Sequence, residues 1–256
     1  MRKFLFGCVL MLPLAAFAQQ KCEYTRSFEL SPDLTGIETV VFEVGGFDLD
    51  VKATAGASAD MQGKACASSV KKLEQLEVRH ERRGDRLVVS MERDKDGWDF
   101  NLFGDNYNYM HLAATLPDDV AVQVDAGSGD ANIDGVASLD LVVGSGDADV
   151  RGVPGPVSVV VGSGGAELAD IGPLEVGSVG SGDLDARDVA GDVRVGSIGS
   201  GDIDLARVEG SVEVGTIGSG SLDVDTVSGD LRVRSVGSGD VDHHRVAGTH
   251  DLPGED

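Results

Sequence analysis

The tetrapeptide Gly-Ser-Gly-Asp starts at Gly127, Gly144, Gly180, Gly199 and Gly237, with altered copies at Gly162-Ser163-Gly164-Gly165 and Gly218-Ser219-Gly220-Ser221. Successive copies are 17, 18, 18, 19, 19 and 19 residues apart. A fixed period near 20 residues is the mark of a solenoid, in which each unit buries its apolar side only against the next. Each unit divides again, because glycines at 182, 191, 201, 210, 220, 229, 239 and 248 alternate in steps of nine and ten. In the clearest unit Ile203, Leu205 and Val208 belong to one half and Val212, Val214 and Ile217 to the other. Alternation sends Ile203 and Leu205 inward and Asp204 outward. Parity breaks at Ala206-Arg207 and again at Gly215-Thr216, so the chain turns corners there. The reading is an all-β fold, a single-stranded parallel β-helix with coils of 17–19 residues and several short sides. Corner glycines such as Gly201 are expected to supply positive φ and close approach between coils.

Stacked coils bring equivalent side chains into rows about 4.8 Å apart. One inward row is Ala148, Leu184, Ile203, Leu222, Val241. The outward row beside it is Asn132, Asp149, Glu167, Asp185, Asp204, Asp223, Asp242, and a turn row adds Asp130, Asp147, Asp183, Asp202, Asp240. Like charges at this spacing repel, and Arg187, Arg207 and Arg245 are close enough in sequence to relieve part of the strain. On the other half-unit Glu175, Arg194, Glu213 and Arg232 alternate in sign. The acidic edge formed by Asp183, Asp185, Asp202, Asp204, Asp223, Asp240 and Asp242 suits weak, nonspecific binding of Ca²⁺ or Mg²⁺. It does not match the calcium-binding repeat Gly-Gly-x-Gly-x-Asp, because Gly201-Asp202-Ile203-Asp204 has the wrong offset, so no specific metal site and no cofactor is expected.

Before the repeats the grammar differs. Tyr24, Phe28, Phe42, Phe47, Trp98, Phe100, Phe103, Tyr107 and Tyr109 all precede His111, and beyond it the apolar residues are small aliphatics. Val40 to Val44 and Phe47 to Val51 flank Gly45-Gly46, as a hairpin or a coil corner would. Arg83-Gly84-Asp85 separates two further alternating runs. Met110 to Leu116 reads as a strand, and Ala53 to Lys72 as a loop or short helix. Residues 19–117 are therefore expected to continue or cap the repeats of residues 118–250, with 251–256 as a tail. The aromatic run containing Trp98, Phe100, Tyr107 and Tyr109 could stack on sugar rings, or simply pack as core or cap.

Residues 1–18 have a basic start, an apolar stretch and Ala16-Phe17-Ala18, the pattern of a secretory signal peptide cleaved after Ala18. The expected location is periplasmic or secreted, and no second apolar run suggests membrane insertion. The chain carries 21 basic and 44 acidic residues, and loss of Arg2 and Lys3 leaves 19 basic and a net charge of −25. Such a surface repels nucleic acid and anionic lipid. Export makes pairing of the two mature cysteines, Cys22 and Cys66, the expectation. Closing that loop contributes roughly 4 kcal/mol by restricting the unfolded chain.

Catalytic signals are weak. The serines recur in every coil without the strand-turn-helix setting of a hydrolase nucleophile, and no Gly-Lys-Ser or Gly-Lys-Thr follows the glycines. His243 falls at the inward position held by Leu205 and Val224, as in an imperfect last coil; with His244 and His250 it could alternatively serve zinc. His80 and His111 have no evident acid partner.

Phe47-Asp48-Leu49-Asp50-Val51, Gly84-Asp85-Arg86-Leu87-Val88-Val89, Leu116-Pro117 and the Gly-Ser-Gly-Asp coils together resemble the bacterial adhesin-like domain family of unknown function. That resemblance implies a right-handed β-solenoid in an envelope or secreted protein. Two functions compete: a noncatalytic module binding envelope protein or glycan, and a polysaccharide-active enzyme using carboxylates such as Asp185, Asp204 and Asp223. Nothing in the repeat specifies an oligomeric state.

Overall fold

The computed structural model describes residues 22–94 and 107–253. Its strands form two sheets that face each other across one continuous hydrophobic core running from Ile37 to Val233, aromatic only at its start, at Phe42 and Phe47. Each repeat contributes one strand to each sheet, so the coil has two long sides joined by tight corners. In the order of the chain, sheet II receives β8 (Ala121–Ala126), β10 (Ser138–Val143), β12 (Val157–Val161), β14 (Leu174–Val179), β16 (Val193–Ile198), β18 (Val212–Ile217), β20 (Leu231–Val236) and β22 (His250–Asp251). Sheet I receives β9 (Ala131–Asp134), β11 (Asp147–Val153), β13 (Gly165–Ile171), β15 (Asp183–Val189), β17 (Asp202–Val208), β19 (Ser221–Val227) and β21 (Asp240–Val246). Every neighbouring pair in these runs is parallel.

The register stacks the expected rows. Ala148, Ala166, Leu184, Ile203, Leu222 and Val241 oppose one another in sequence, and Asp149, Glu167, Asp185, Asp204, Asp223 and Asp242 form the adjacent outward row. Ile203, Leu205 and Val208 are buried to 2% exposure or less. A fully buried aliphatic side chain contributes about 1.5–3 kcal/mol, so the core gains strength by repetition of modest residues.

Of the two roles expected of the corner glycines, close approach recurs through the repeats and positive φ holds at some, such as Gly135 and Gly152, but not at Gly201. A Cβ on Gly201 would lie 1.9 Å from the carbonyl oxygen of Gly182, and one on Gly220 would lie 1.8 Å from that of Gly201. Gly201 itself is not in the positive-φ region. Its role is close approach: Ser200 N donates to Gly180 O at 2.8 Å, and the same bond recurs from Ser219 N to Gly199 O. Within the repeats, positive φ occurs at the sheet I corner, at Gly135, Gly152, Asp170, Asp188, Arg207, Thr226 and Arg245. This left-handed residue is the one the strand register skips, for Ala206 pairs with Asp225 and Val208 with Val227. It is the physical cause of the parity break at Ala206-Arg207. In sheet II the corresponding extra residue is Gly177, passed over as Val159 pairs with Val176 and Val160 with Ser178.

Ahead of the repeats come β1 (Tyr24–Leu30), β2 (Thr39–Gly45), β3 (Asp48–Ala53), β4 (Asp60–Ala67), α1 (Val70–Glu74), β5 (Leu76–Arg83), β6 (Arg86–Arg93) and β7 (Asn108–Leu116). Gly45-Gly46 is a coil corner, since β2 joins sheet II and β3 joins sheet I. Both pair in parallel with the first repeat, β2 with β8 and β3 with β9. On their other side they pair in parallel with β6 and β7. Beyond these, β4 and β5 run antiparallel to β7 and β6, and β1 runs antiparallel to β4. Much of Ala53 to Lys72, expected as loop or short helix, is the strand β4; only its end is helical. Alternation there is hidden by Gly63, Ala65 and Cys66, all buried. Cys22 and Cys66 are disulfide-bonded with a Cα separation of 5.8 Å, anchoring the start of β1 to β4. Arg26 lies 4.9 Å over the Phe28 ring and donates to Leu76 O, tying the edge of sheet I to the start of β5.

Two substitutions separate the roles of these corners. Gly201→Ala should cost about 3 kcal/mol, because two backbones must move apart. Thr226→Asn should gain about 1 kcal/mol, because Asn tolerates the left-handed region that a β-branched residue resists. Thermal melts of the two variants against the parent check both signs.

Candidate functional site

The most ordered surface feature is the outer face of sheet I. The acidic row extends to Asp50 on β3, which opposes Asn132. Asp185, Asp204 and Asp223 are consecutive in this row. Burial, and then the neighbouring carboxylates of Asp185 and Asp223, hold the Asp204 carboxyl above its ordinary range. The turn row has a structural use. Asp202 Oδ1 accepts from Ser221 N at 2.9 Å and from Ser221 Oγ at 2.6 Å, and these bonds draw its pKa down. Asp130 Oδ1 accepts likewise from Asp147 N at 3.0 Å and Asp147 Oδ1 from Gly165 N at 2.9 Å. At the opposite corner Asp230 Oδ1 accepts from Thr249 N at 2.8 Å, which also lowers its pKa. These carboxylates stitch one coil to the next through charge-assisted hydrogen bonds.

The arginines relieve the face less than their sequence positions suggest. Arg207 Nε and Nη2 donate to the two oxygens of Asp188 at 2.6 and 2.7 Å, which lowers the Asp188 pKa. Arg245 bonds Asp225, and its Nε donates to Thr226 Oγ1 at 3.0 Å. Both therefore serve the left-handed corner and not the row through Asp204. That corner lines an open groove of about 580 Å³ with Asp170, Asp188, Arg207, Glu209, Thr226 and Ser228 on its walls. On sheet II the row Glu175, Arg194, Glu213, Arg232 is in register as expected. Asp251 continues this row and pairs with Arg232 at 3.1 Å, whereas Arg194 pairs outside it with Asp192 at 3.3 Å and Glu213 with Arg234.

Asp183, Asp185, Asp202, Asp204, Asp223, Asp240 and Asp242 all lie in the turn and outward rows of sheet I. Among the described residues no group of three or more His, Cys, Asp or Glu is placed to hold a metal ion. Trp98 and Phe100 lie outside the described residues. Tyr107 Oη accepts from Glu23 N at 3.1 Å, and Tyr109 opposes Cys66, so both belong to the capped end of sheet I. His243 opposes Val224 as expected and stacks on His250 with centroids 4.9 Å apart.

One polar cluster escaped the sequence reading. His111 Nε2 lies 2.7 Å from Asp50 Oδ2, and Asn132 Nδ2 donates to Asp50 Oδ1 at 2.8 Å. The missing acid partner of His111 is thus supplied from 61 residues away. The signal lay in Gly45-Gly46-Phe47-Asp48-Leu49-Asp50, a first copy of the repeat that aligns with Gly127-Ser128-Gly129-Asp130-Ala131-Asn132.

These features define an all-β solenoid that displays rows of polar side chains on flat faces. Residues 37–247 match the family model described as Toastrack DUF4097, and the chain belongs to that family. No curated protein matches it significantly. Among solved structures it is similar to a "putative lipid binding protein" from Parabacteroides distasonis, with 16% identity and a TM-score of 0.49 over 90% of this chain and 97% of that one. A "putative adhesin" from the same organism shares 15% identity with a TM-score of 0.45 over 90% and 97% of the two chains. Another from Bacteroides fragilis shares 14% with a TM-score of 0.39 over the same shares.

Because Asp204 holds its proton more tightly in the folded state, its ionisation costs stability at neutral pH, and this is regained as pH falls through its raised value. Asp188, Asp202 and Asp230 act oppositely: their contribution is present above the ordinary carboxylate range and is lost as pH falls below it. Asp204→Asn should therefore raise the melting temperature slightly at pH 7, and the gap to the parent should close on acidification through the raised Asp204 value. Paired melts across pH check this; a destabilised Asp204→Asn would show a specific ionic role. Calcium and sodium at equal ionic strength should raise the melting temperature by similar small amounts, with the far-ultraviolet β signal intact in chelator.

Proposed function

We propose that the chain is a noncatalytic binding module of the bacterial envelope, recognising an extended protein or glycan through the outer face of sheet I. The observation that carries this reading is the sameness of the row Asp185, Asp204, Asp223, Asp242 from coil to coil. Catalysis by paired carboxylates requires two groups held to different protonation states and placed on either side of one bond. A row repeating at about 4.8 Å instead offers many equivalent contacts, which suits a partner that is itself extended and presents hydroxyls or cations at intervals. The aromatic run from Trp98 to Tyr109 is a second contact region within the same proposal. The signal-peptide pattern of residues 1–18 supports a location outside the cytoplasm for this module, with cleavage after Ala18.

Arrays of bacterial glycans and purified envelope proteins, assayed alongside reducing-sugar release, test the proposal. Binding should fall on the combined change Asp185→Asn, Asp204→Asn and Asp223→Asn, with no sugar released by any form. Release of reducing ends that vanishes in a single carboxylate variant would overturn it in favour of a polysaccharide-active enzyme. Binding lost on Trp98→Ala or Tyr107→Ala, but not on the aspartate changes, would move the contact to the aromatic segment.

A further inference from the structure

The two ends of the solenoid are built differently. One is closed by the antiparallel strands β1, β4 and β5, by α1 and by the disulfide. At the other, β21 and β22 are the last strands of their sheets, and among the described residues no strand pairs with their outer edges. The core opens here. Leu222, Val224 and Val227 are 0%, 2% and 1% exposed, whereas Val241, His243 and Val246, their equivalents one coil on, are half-buried. Val236 and Leu252 pack only partly against the core beside them. His243 and His250 bring one ring from each sheet across this opening.

We propose that this end docks onto a second copy of the same chain, forming a closed two-fold dimer in which β21 pairs antiparallel with its counterpart. A two-fold axis perpendicular to the sheets sets the last strand of each sheet against its own copy reversed, so both sheets continue. Head-to-tail stacking would instead meet the closed end, whose outer strand β5 carries Arg79, Arg82 and Arg83, and charged edge strands resist pairing. Register follows from parity, since inward residues must stay opposite inward residues. With His243 on the axis, each Asp242 faces His244 of the second copy on the outer surface, giving two carboxylate–imidazole pairs. With Asp242 on the axis, two carboxylates would face each other, which is unfavourable. The pairing of Asp242 with His244 thus selects the register. β21, with seven residues, spans about 24 Å and β22, with two, about 7 Å, so the contact is small, well below the roughly 1,200 Å² of a standard interface and in the range of a transient one. The negative charge on each copy opposes association, so added salt should strengthen the dimer.

Sedimentation equilibrium of the mature chain at about 10–500 µM, a range that brackets micromolar affinity, tests this. The expected result is a monomer–dimer equilibrium that stops at two. Asp242→Lys and His244→Glu should each weaken it about tenfold, and the two changes together should restore it. His243→Cys should cross-link across the axis on mild oxidation, because facing antiparallel residues lie about 4.5–5.5 Å apart, within disulfide range. Circular dichroism confirms that each variant is folded. A monomer at every concentration, assembly growing past two, or a double variant no better than the single ones would overturn the proposal.

Discussion

The bond from one coil's turn to the next, Ser200 N to Gly180 O and its repeats, is the interaction on which the rest depends. It forms only where consecutive backbones touch, and they touch because residues such as Gly182, Gly201 and Gly220 lack a Cβ. Once the turns are fixed, the strands between them fall into register, and the inward rows repeat aliphatic residues along the axis as far as His243 in the last coil. No single residue supplies the stability. Each coil adds a thin layer of Val, Leu, Ile and Ala, and is stable because it has a neighbour on either side.

Translation also repeats what is unfavourable. A carboxylate that is harmless once becomes a row of like charges when copied into every coil, and Asp204 registers this in its raised pKa. The fold meets the problem by using some carboxylates as structure. Asp130, Asp147, Asp202 and Asp230 accept backbone N–H groups from the following coil, while Asp188 is paired with Arg207. On the outer face of sheet I, Asp149 is paired with Arg151 and Asp50 with His111 and Asn132, whereas the row from Asp185 to Asp223 holds the like charges that, with burial, raise the pKa of Asp204. This is why that face, and not the turns, is the surface assigned to a partner.

Much of this was legible in the sequence because a solenoid writes its register into its period. The inward and outward rows, the corner at Ala206-Arg207 and the place of His243 all follow from spacing alone. Three features were not legible, each for a physical reason. The positive-φ corner is occupied by Asp188, Arg207 and Thr226, residues that do not announce a left-handed conformation as glycine does. The strand β4 alternates between residues too small to give a hydrophobic signal. The first copy of the repeat was masked by Phe47, which stands where later coils have glycine; its carbonyl lies where a Cβ on Gly129 would be, 1.8 Å away. With that copy unread, Asp50 could not be placed beside His111. The pairing of Arg207 with Asp188 likewise crosses 19 residues, a distance at which sequence proximity says nothing about which acid an arginine will choose.

The coil made by β2 and β3 lies between β6 and β7 on one side and β8 and β9 on the other, although it precedes both in the chain. The stack therefore cannot be laid down from one end to the other as the polypeptide emerges. Its first coil in sequence is covered on one side by β6 and β7 and on the other by β8 and β9, all of which follow it in the chain. The topology thus ties the two directions of the stack, towards the disulfide-tied cap and along the repeats, to one coil that neither flank can complete without the other part of the chain.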